Sequence, residues 1–119
     1  MKKILVIDDD KELLKLIQLR LEKGGYKVEC ANDGLEGIAK IDDFHPDLVI
    51  LDVMMPHLDG YSLLQEMKFD LDLRQIPILV LSGRQDLKDI FDHMGKVEFV
   101  PKPFDSKELL GTVKECLAR

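Results

Sequence analysis

The chain has 119 residues, of which 45% are hydrophobic and 34% charged, and its formal net charge is −6 at pH 7. A chain of this length fits one domain with a single core, and its acidic balance argues against nonspecific nucleic-acid binding, which requires a basic surface. No apolar run approaches the roughly 18 residues of a membrane span, and Met1-Lys2-Lys3 leads into a predicted strand without a signal-peptide pattern. We therefore expect one cytoplasmic domain over residues 1–119 that contacts neither nucleic acid nor membrane directly.

Apolar runs and their periodicity predict strands and helices that alternate five times along the chain. The first strand covers Lys3–Ile7, and the first helix covers Lys11–Lys23 and ends at Gly24-Gly25. The second strand, Lys27–Ala31, alternates apolar and charged residues, which is typical of a sheet edge. The first helix is expected to bury the apolar stripe Leu14, Ile17 and Leu21.

The second helix is predicted to begin near Asp33, which forms a capping-box pattern with Glu36, and the helical region ends at Pro46. The run Leu48–Leu51 predicts the third strand, which is followed by Asp52. Short, continuous apolar runs of this kind are typical of strands that are buried on both faces of a parallel sheet.

The later elements follow the same alternation. A third helix is expected after Asp59-Gly60, and a fourth strand after Pro77. The fourth helix, about Asp86–His93, is predicted to be short. The fifth helix opens at Asp105 or Ser106, and the residues that it is expected to bury are Leu109, Leu110, Val113 and Leu117.

The two cysteines, Cys30 and Cys116, form no CxxC or Cys/His group. Cys116 falls on the apolar stripe of the fifth helix, so we expect a buried, reduced thiol. His45, His57 and His93 lack metal-ligand spacing and fall in predicted loops or at a helix end. The sequence therefore predicts neither a disulfide nor a zinc site.

Strands that alternate with helices predict a parallel sheet with right-handed crossovers and helices on both faces. Five strands favour the doubly wound order 2-1-3-4-5, in which ligands bind outside the carboxyl ends of the strands, beside strands 1 and 3. Four of the predicted strands end at that edge in polar or charged residues. Asp8 and Asp9 follow the first strand, Asp52 the third and Ser82 the fourth, and Lys102 follows Phe99-Val100-Pro101 of the fifth.

These strand-end residues favour a metal and phosphoryl site. Asp8, Asp9 and Asp52 would repel one another when ionised, and a divalent cation with oxygen ligands offsets that repulsion. Mg²⁺ fits best, because it accepts one or two carboxylates together with water and phosphate oxygens. Asp52 is the candidate nucleophile for an acyl phosphate. Lys102 would pair with Asp52 or with the phosphoryl group, to which Ser82 could donate a hydrogen bond.

Each residue also has a simpler interpretation. Asp8-Asp9-Asp10 could be the solvated start of a helix, and we expect Asp10 to be only that. Asp52 could be a turn residue, Lys102 a surface charge and Ser82 a loop hydroxyl. Their joint position at strand ends favours the site. An EF-hand calcium loop is excluded, because the Asp triplet lacks the alternating ligands, central Gly and closing Glu of that motif.

Four separated segments of the chain resemble a response-regulator receiver domain of two-component signalling, a CheY-like, flavodoxin-like fold. The matching segments are Ile4–Asp10, Pro46–Pro56, Leu58–Gly60 and Lys102–Phe104. The resemblance implies that a sensor histidine kinase or a histidine phosphotransfer protein transfers a phosphoryl group to Asp52. It also implies that Asp8, Asp9, Asp52 and the backbone carbonyl of Met54 bind Mg²⁺.

The resemblance further implies a conformational switch. Ser82 and Phe99 match the family's switch positions, and Lys102, in a cis peptide with Pro103, matches its invariant lysine. Phosphorylation would draw Ser82 to the phosphate, turn Phe99 inward and reshape the face of the fourth helix, fifth strand and fifth helix. That face would control a downstream effector or output domain, or a phosphorylation-dependent homodimer. Slow self-phosphorylation and autodephosphorylation would be its only catalysis.

Two features depart from the family pattern. Gly83 stands where alanine is usual, and Arg84–Lys96 is shorter than is typical, so we expect the fourth helix to be shorter than the others or partly irregular. Two other interpretations remain at this point. A haloacid-dehalogenase-type phosphatase would use Asp8-Asp9-Asp10 as its Asp-x-Asp motif but leaves the Asp52 segment unexplained. A degenerate receiver would act only as a binding module.

Overall fold

The computed structural model of the protein describes residues 1–52, 67, 75–83 and 97–118. Within these ranges the elements are β1 (Lys3–Ile7), α1 (Lys11–Lys23), β2 (Lys27–Ala31), α2 (Gly34–Phe44), β3 (Leu48–Asp52), β4 (Ile78–Ser82), β5 (Val97–Pro101) and α3 (Ser106–Ala118). Helix α3 is the fifth helix of the sequence prediction. The predicted third and fourth helices, including the expectation that the fourth is short or irregular, lie outside the described residues.

The five strands form one parallel sheet in the order β2-β1-β3-β4-β5, which confirms the predicted topology and the edge position of β2. Ile7 pairs with Ala31 of β2 and with Leu51 of β3. Asp52 pairs with Leu81, and Ser82 pairs with Pro101. The strands therefore end together, and the residues that follow them meet at one edge of the sheet.

Side chains of successive strand residues point to opposite faces of the sheet and form two buried clusters. Every residue of β3 and β4 is buried. On one face, Leu5, Ile7, Val49, Leu51, Val80 and Phe99 pack with Ile41 and Phe44 of α2. On the other face, Val6, Ile50 and Leu81 pack with the buried stripes of α1 and α3. Helices thus cover both faces, as predicted.

Side-chain caps fix where the first two helices begin. The Asp10 carboxylate accepts hydrogen bonds from the backbone N–H of Glu12 at 3.0 Å and of Leu13 at 3.2 Å, which confirms its role at the start of α1. Asp33 accepts from the N–H of Glu36 at 2.8 Å. The reciprocal bond to the Glu36 carboxylate comes from Asn32 at 3.1 Å, so the predicted capping box is displaced by one residue.

The predicted apolar stripes are mostly correct. Leu14, Ile17 and Leu21 of α1 are buried, as expected. In α3 the buried residues are Leu109, Val113 and Cys116, whereas Leu110 and Leu117 are only partly buried. Leu110 and Leu117 pack against the same cluster but stay partly exposed, because they flank the stripe, and the predicted burial of Cys116 is confirmed. Both cysteines are free thiols, and none of the helices described here is long and apolar enough to cross a membrane.

Candidate functional site

Three carboxylates converge where β1 and β3 end. Asp8 follows β1, where its N–H donates to the carbonyl of Ala31 at 3.1 Å, and Asp52 is the last residue of the neighbouring strand β3. One carboxylate oxygen from each of Asp8, Asp9 and Asp52 lies within 4.8 Å of the others. Asp8 and Asp52 are buried, with exposures of 1% and 6%, while Asp9 is exposed. The cluster therefore consists of two buried carboxylates and one that faces solvent.

Lys102 supplies the positive charge of the site. Its ammonium nitrogen lies 3.1 Å from Asp52 Oδ2 and 3.4 Å from Asp8 Oδ2. Its backbone N–H donates to the carbonyl of Ser82 at 2.8 Å, which ties the end of β5 to the end of β4. The peptide bond between Lys102 and Pro103 is cis, as predicted. The side chain spans from β5 across β4 to reach both carboxylates, as the strand order requires.

Burial and charge perturb the ionisation of this group of residues. Burial raises the pKa of Asp8 from 3.8 to about 6, and the Asp52 carboxylate also raises it, while the Asp10 N–H and Lys102 act in the opposite direction. For Lys102, burial lowers the pKa, but the carboxylates of Asp8 and Asp52 outweigh it and leave the pKa raised. The ammonium is therefore charged at neutral pH. Its attraction lowers the pKa of Asp8 by less than burial raises it.

The donor set fits a hard divalent cation. Asp8, Asp9 and Asp52 offer oxygen atoms only, at a separation that allows one ion to contact them together. Burial of Asp8, which is the main cause of its raised pKa, disfavours an uncompensated negative charge there, and a bound cation would offset that cost. Oxygen ligands with one open side suit Mg²⁺, which retains several waters. The fourth predicted ligand, the backbone carbonyl of Met54, lies outside the described residues.

The two predicted switch residues are both buried. Ser82 is 0% exposed at the end of β4. Phe99, on the adjacent strand β5, is 9% exposed and belongs to the buried cluster on the face of the sheet that α2 covers at the other edge. Gly83, which follows Ser82, is exposed, and a Cβ atom at this position would meet no atom within 4 Å. Steric crowding therefore does not require a glycine at position 83.

An apolar groove next to Lys102 was not recognised in the sequence. Leu16 and Leu19 of α1 are 46% and 55% exposed. A cavity of about 390 Å³ lies between the first of these and the segment after β5, and its lining residues are Leu13, Leu16, Lys102, Pro103 and Phe104. The signal that could have found it is the second row of leucines on α1, which lies off the buried stripe.

The sequence of the chain matches a known family over most of its length. The model of the response regulator receiver domain family matches residues 4–114. The chain belongs to this family. The match decides against the phosphatase interpretation, which explained Asp8-Asp9-Asp10 but not the segment that ends in Asp52. A histidine kinase or phosphotransfer protein as the partner of this receiver domain stays a prediction.

Individual relatives of this receiver domain include regulators and solved structures. It is 38% identical to the DNA-binding dual master transcriptional regulator RpaA of Synechocystis, over 100% of this chain and 50% of that protein. It is 37% identical to protein PilG of Pseudomonas aeruginosa, over 94% of this chain and 84% of that protein. The crystal structure of response regulator TrrA from Thermotoga maritima, in complex with Mg²⁺ and BeF, superposes with a TM-score of 0.87 at 30% identity, covering 98% of this chain and 99% of that one.

The lengths of these relatives bear on the expected partners. This receiver domain spans about half the length of the transcriptional regulators that it matches, such as RpaA. RpaA is named as DNA-binding, which conflicts with a general expectation of no nucleic-acid contact. For the 119 residues of this chain, the absence of direct nucleic-acid binding stays a prediction.

Proposed function

We propose that residues 1–119 act as one phosphorylation-dependent signalling switch whose phosphoacceptor is Asp52. The observation that carries this proposal is the position of its carboxylate, which lies within 4.8 Å of those of Asp8 and Asp9 and 3.1 Å from the Lys102 ammonium. A carboxylate with an oxygen-ligand cation site on one side and a lysine on the other is suited to phosphoryl transfer.

The reaction that fits this geometry is an in-line displacement at phosphorus. A carboxylate oxygen of Asp52 attacks the phosphorus of a phosphohistidine, a P–O bond forms, and the P–N bond breaks with its electron pair going to the imidazole nitrogen. Lys102 would exchange its ion pair with Asp52 for contact with a phosphoryl oxygen, and it remains charged because its pKa is raised. Asp8 and Asp9 would hold Mg²⁺ together with Asp52 and the Met54 carbonyl.

Mg²⁺, when bound, would supply positive charge to the phosphoryl oxygens. Support for this choice of cation comes from the oxygen-only donor set and from TrrA, whose structure contains Mg²⁺ and BeF. The residues of this chain do the positioning: the N–H of Asp10 donates to the Asp8 carboxylate at 3.0 Å and fixes its orientation. Slow self-phosphorylation from small phosphodonors and slow autodephosphorylation would follow from the same arrangement.

Ser82 and Phe99 would connect the site to a partner surface. We propose that the hydroxyl of Ser82 donates to a phosphoryl oxygen on Asp52. Because Phe99 is already buried in this structure, phosphorylation would stabilise that position more than create it. The consequence would be a change in the face that includes β5 and α3, through which a cytoplasmic effector, an output domain or a second copy of the chain would respond.

The test is labelling with a small phosphodonor such as acetyl phosphate in the presence of Mg²⁺. We expect stoichiometric, slowly decaying labelling of the wild type, no labelling of Asp52→Asn, and normal labelling of the control Asp42→Asn, an exposed carboxylate on α2. Rapid multiple turnover that depends on Asp8 would identify a phosphatase instead. Full labelling of Asp52→Asn would contradict Asp52 as the phosphoacceptor, and absence of both Mg²⁺ binding and labelling would identify a degenerate receiver.

A further inference from the structure

Strand β2 forms one edge of the sheet and, among the described strands, pairs with β1 alone. The N–H of Lys27 and the carbonyl of Ala31 form hydrogen bonds with the backbone groups that flank β1, at 2.9 and 3.1 Å. Successive residues of a strand turn their N–H and C=O groups to opposite sides. The backbone groups of Val28 and Cys30 therefore point away from the sheet, where a further strand would pair with them.

Lys40 of α2 reaches one of these outward groups. Its ammonium donates to the carbonyl of Cys30 at 2.6 Å, and it lies 3.6 Å from the Glu36 carboxylate and 3.9 Å from that of Glu29. The two carboxylates and the carbonyl hold the ammonium at the edge of the sheet. The side chain of Lys40 remains 33% exposed, so its charge is still in contact with water.

A strand that added to β2 would meet this ammonium. It would have to displace Lys40 from the Cys30 carbonyl, and it would cover a charge that now contacts water. Removing a charge from water is costly unless new partners replace the lost ones. Lysines at sheet edges are one means by which native proteins prevent pairing between edges. Here the lysine comes from the neighbouring helix and not from the edge strand itself.

The strand that is always available to pair with this edge is β2 of a second copy of the chain. Two identical edges can pair across a twofold axis, which is the commonest symmetry of protein dimers. Such a pairing would bring two Lys40 ammoniums into one interface, where like charges oppose association. We propose that Lys40 keeps the β2 edge closed to this pairing. This role depends neither on the acidic cluster nor on phosphorylation.

The test compares Lys40→Met with the wild type by sedimentation velocity over a series of protein concentrations. Metal and phosphodonor are left out, and a reductant keeps the free Cys30 thiols from forming a disulfide. We expect the self-association constant of Lys40→Met to be at least about tenfold higher than that of the wild type. The matched control is Lys107→Met, which removes the same charge from an exposed position of α3 and should behave as the wild type. Lys40→Arg keeps the charge and a donor and should also stay monomeric.

Amide hydrogen exchange locates any new interface. In Lys40→Met, the outward N–H groups of Val28 and Cys30 should exchange more slowly as the protein concentration rises, whereas in Lys107→Met they should not. The proposal is wrong if Lys40→Met associates no more than Lys107→Met, or if it associates without protecting these two amides. Should Lys40→Met fail to fold, Lys40→Gln, which keeps a donor but carries no charge, is judged by the same two outcomes.

Discussion

Lys102 holds two buried carboxylates at once: its ammonium lies 3.1 Å from Asp52 Oδ2 and 3.4 Å from Asp8 Oδ2. Coulomb interactions at this separation are strong away from bulk water. The lysine thus offsets the repulsion between Asp8 and Asp52 in the resting protein. It also occupies the side of Asp52 on which a phosphoryl group would be held, so one residue serves both states of the proposed switch.

The first prediction concerns Lys102→Met. Removing the ammonium leaves Asp8 and Asp52 facing each other, and we expect the free energy of unfolding without Mg²⁺ to fall by roughly 2 kcal/mol at pH 7. Added Mg²⁺ should recover most of this loss, because the cation replaces the missing positive charge. Labelling by a small phosphodonor should be slower. Urea denaturation with and without Mg²⁺ measures the first two effects.

The control for this variant is Lys107→Met, an exposed lysine in the first turn of α3. Its stability should be close to that of the wild type, since exposed charges contribute little. An equal loss of stability in both variants would argue against the ion pairs as the cause. A loss in Lys102→Met that Mg²⁺ leaves unchanged would argue against the acidic cluster as the cation site.

The second prediction concerns Asp8→Asn. Since burial raises the pKa of Asp8 from 3.8 to about 6, the native state binds a proton more tightly than the unfolded chain. This stabilisation is complete below about pH 4 and is lost as the pH rises through about 6. Asparagine removes the buried charge, so we expect the metal-free variant to be more stable at pH 7 by on the order of 2 kcal/mol, with no such gain near pH 4. Urea denaturation at both pH values measures this. A gain that is independent of pH would contradict the explanation.

The third prediction concerns the pH dependence of Mg²⁺ binding. Asp8 must lose its proton to act as a ligand, and its pKa is about 6. The Mg²⁺ affinity should therefore be nearly constant above pH 7 and fall below pH 6 by up to about tenfold per pH unit. Calorimetric titrations between these pH values provide the measurement. In Asp8→Asn, weaker binding should lack this step near pH 6, and a step of the same size would assign the proton to another group.

The sequence predicted the fold well because each strand is an apolar run with a clear stop. The bounds of β1, α1 and β2 agree with the prediction. The first helix begins after its N-cap, Asp10, and ends at its C-cap, Gly24, and both ends are set by hydrogen bonds between neighbouring residues. The convergence of Asp8, Asp9 and Asp52 followed from strand order alone, because parallel strands end at the same edge.

Other features depend on distances that periodicity does not encode. The sequence left open whether Lys102 pairs with Asp52 or with the phosphoryl group, and it did not indicate the additional ion pair with Asp8 or the raised pKa of that residue. The hydrogen bond from Lys40 to the carbonyl of Cys30 joins a helix to the edge of the sheet. Such contacts depend on how closely a helix packs on the sheet, which the pattern of apolar residues leaves undetermined.

The last prediction concerns the apolar groove beside the site. The cavity at Lys102 shares Leu16 with a second cavity of about 400 Å³, which is lined by Leu16, Leu19, Arg20 and Lys23. The two cavities adjoin at Leu16 on the surface of α1, and the groove here means the surface that both of them line. A protein donor must bring its phosphohistidine to Asp52, whereas a small phosphodonor needs no docking surface. We therefore expect the phosphodonor protein to bind to this groove.

Leu16→Glu tests this expectation, because it places a charge in the centre of the groove without touching the acidic cluster. Phosphotransfer from the kinase should slow by about tenfold or more, while labelling by acetyl phosphate should keep the wild-type rate. Leu35→Glu is the matched control, since this leucine of α2 is 72% exposed and lies outside the groove. An equal loss with both phosphodonors would point to damage of the fold, and an equal loss in both variants would remove the groove as the docking surface.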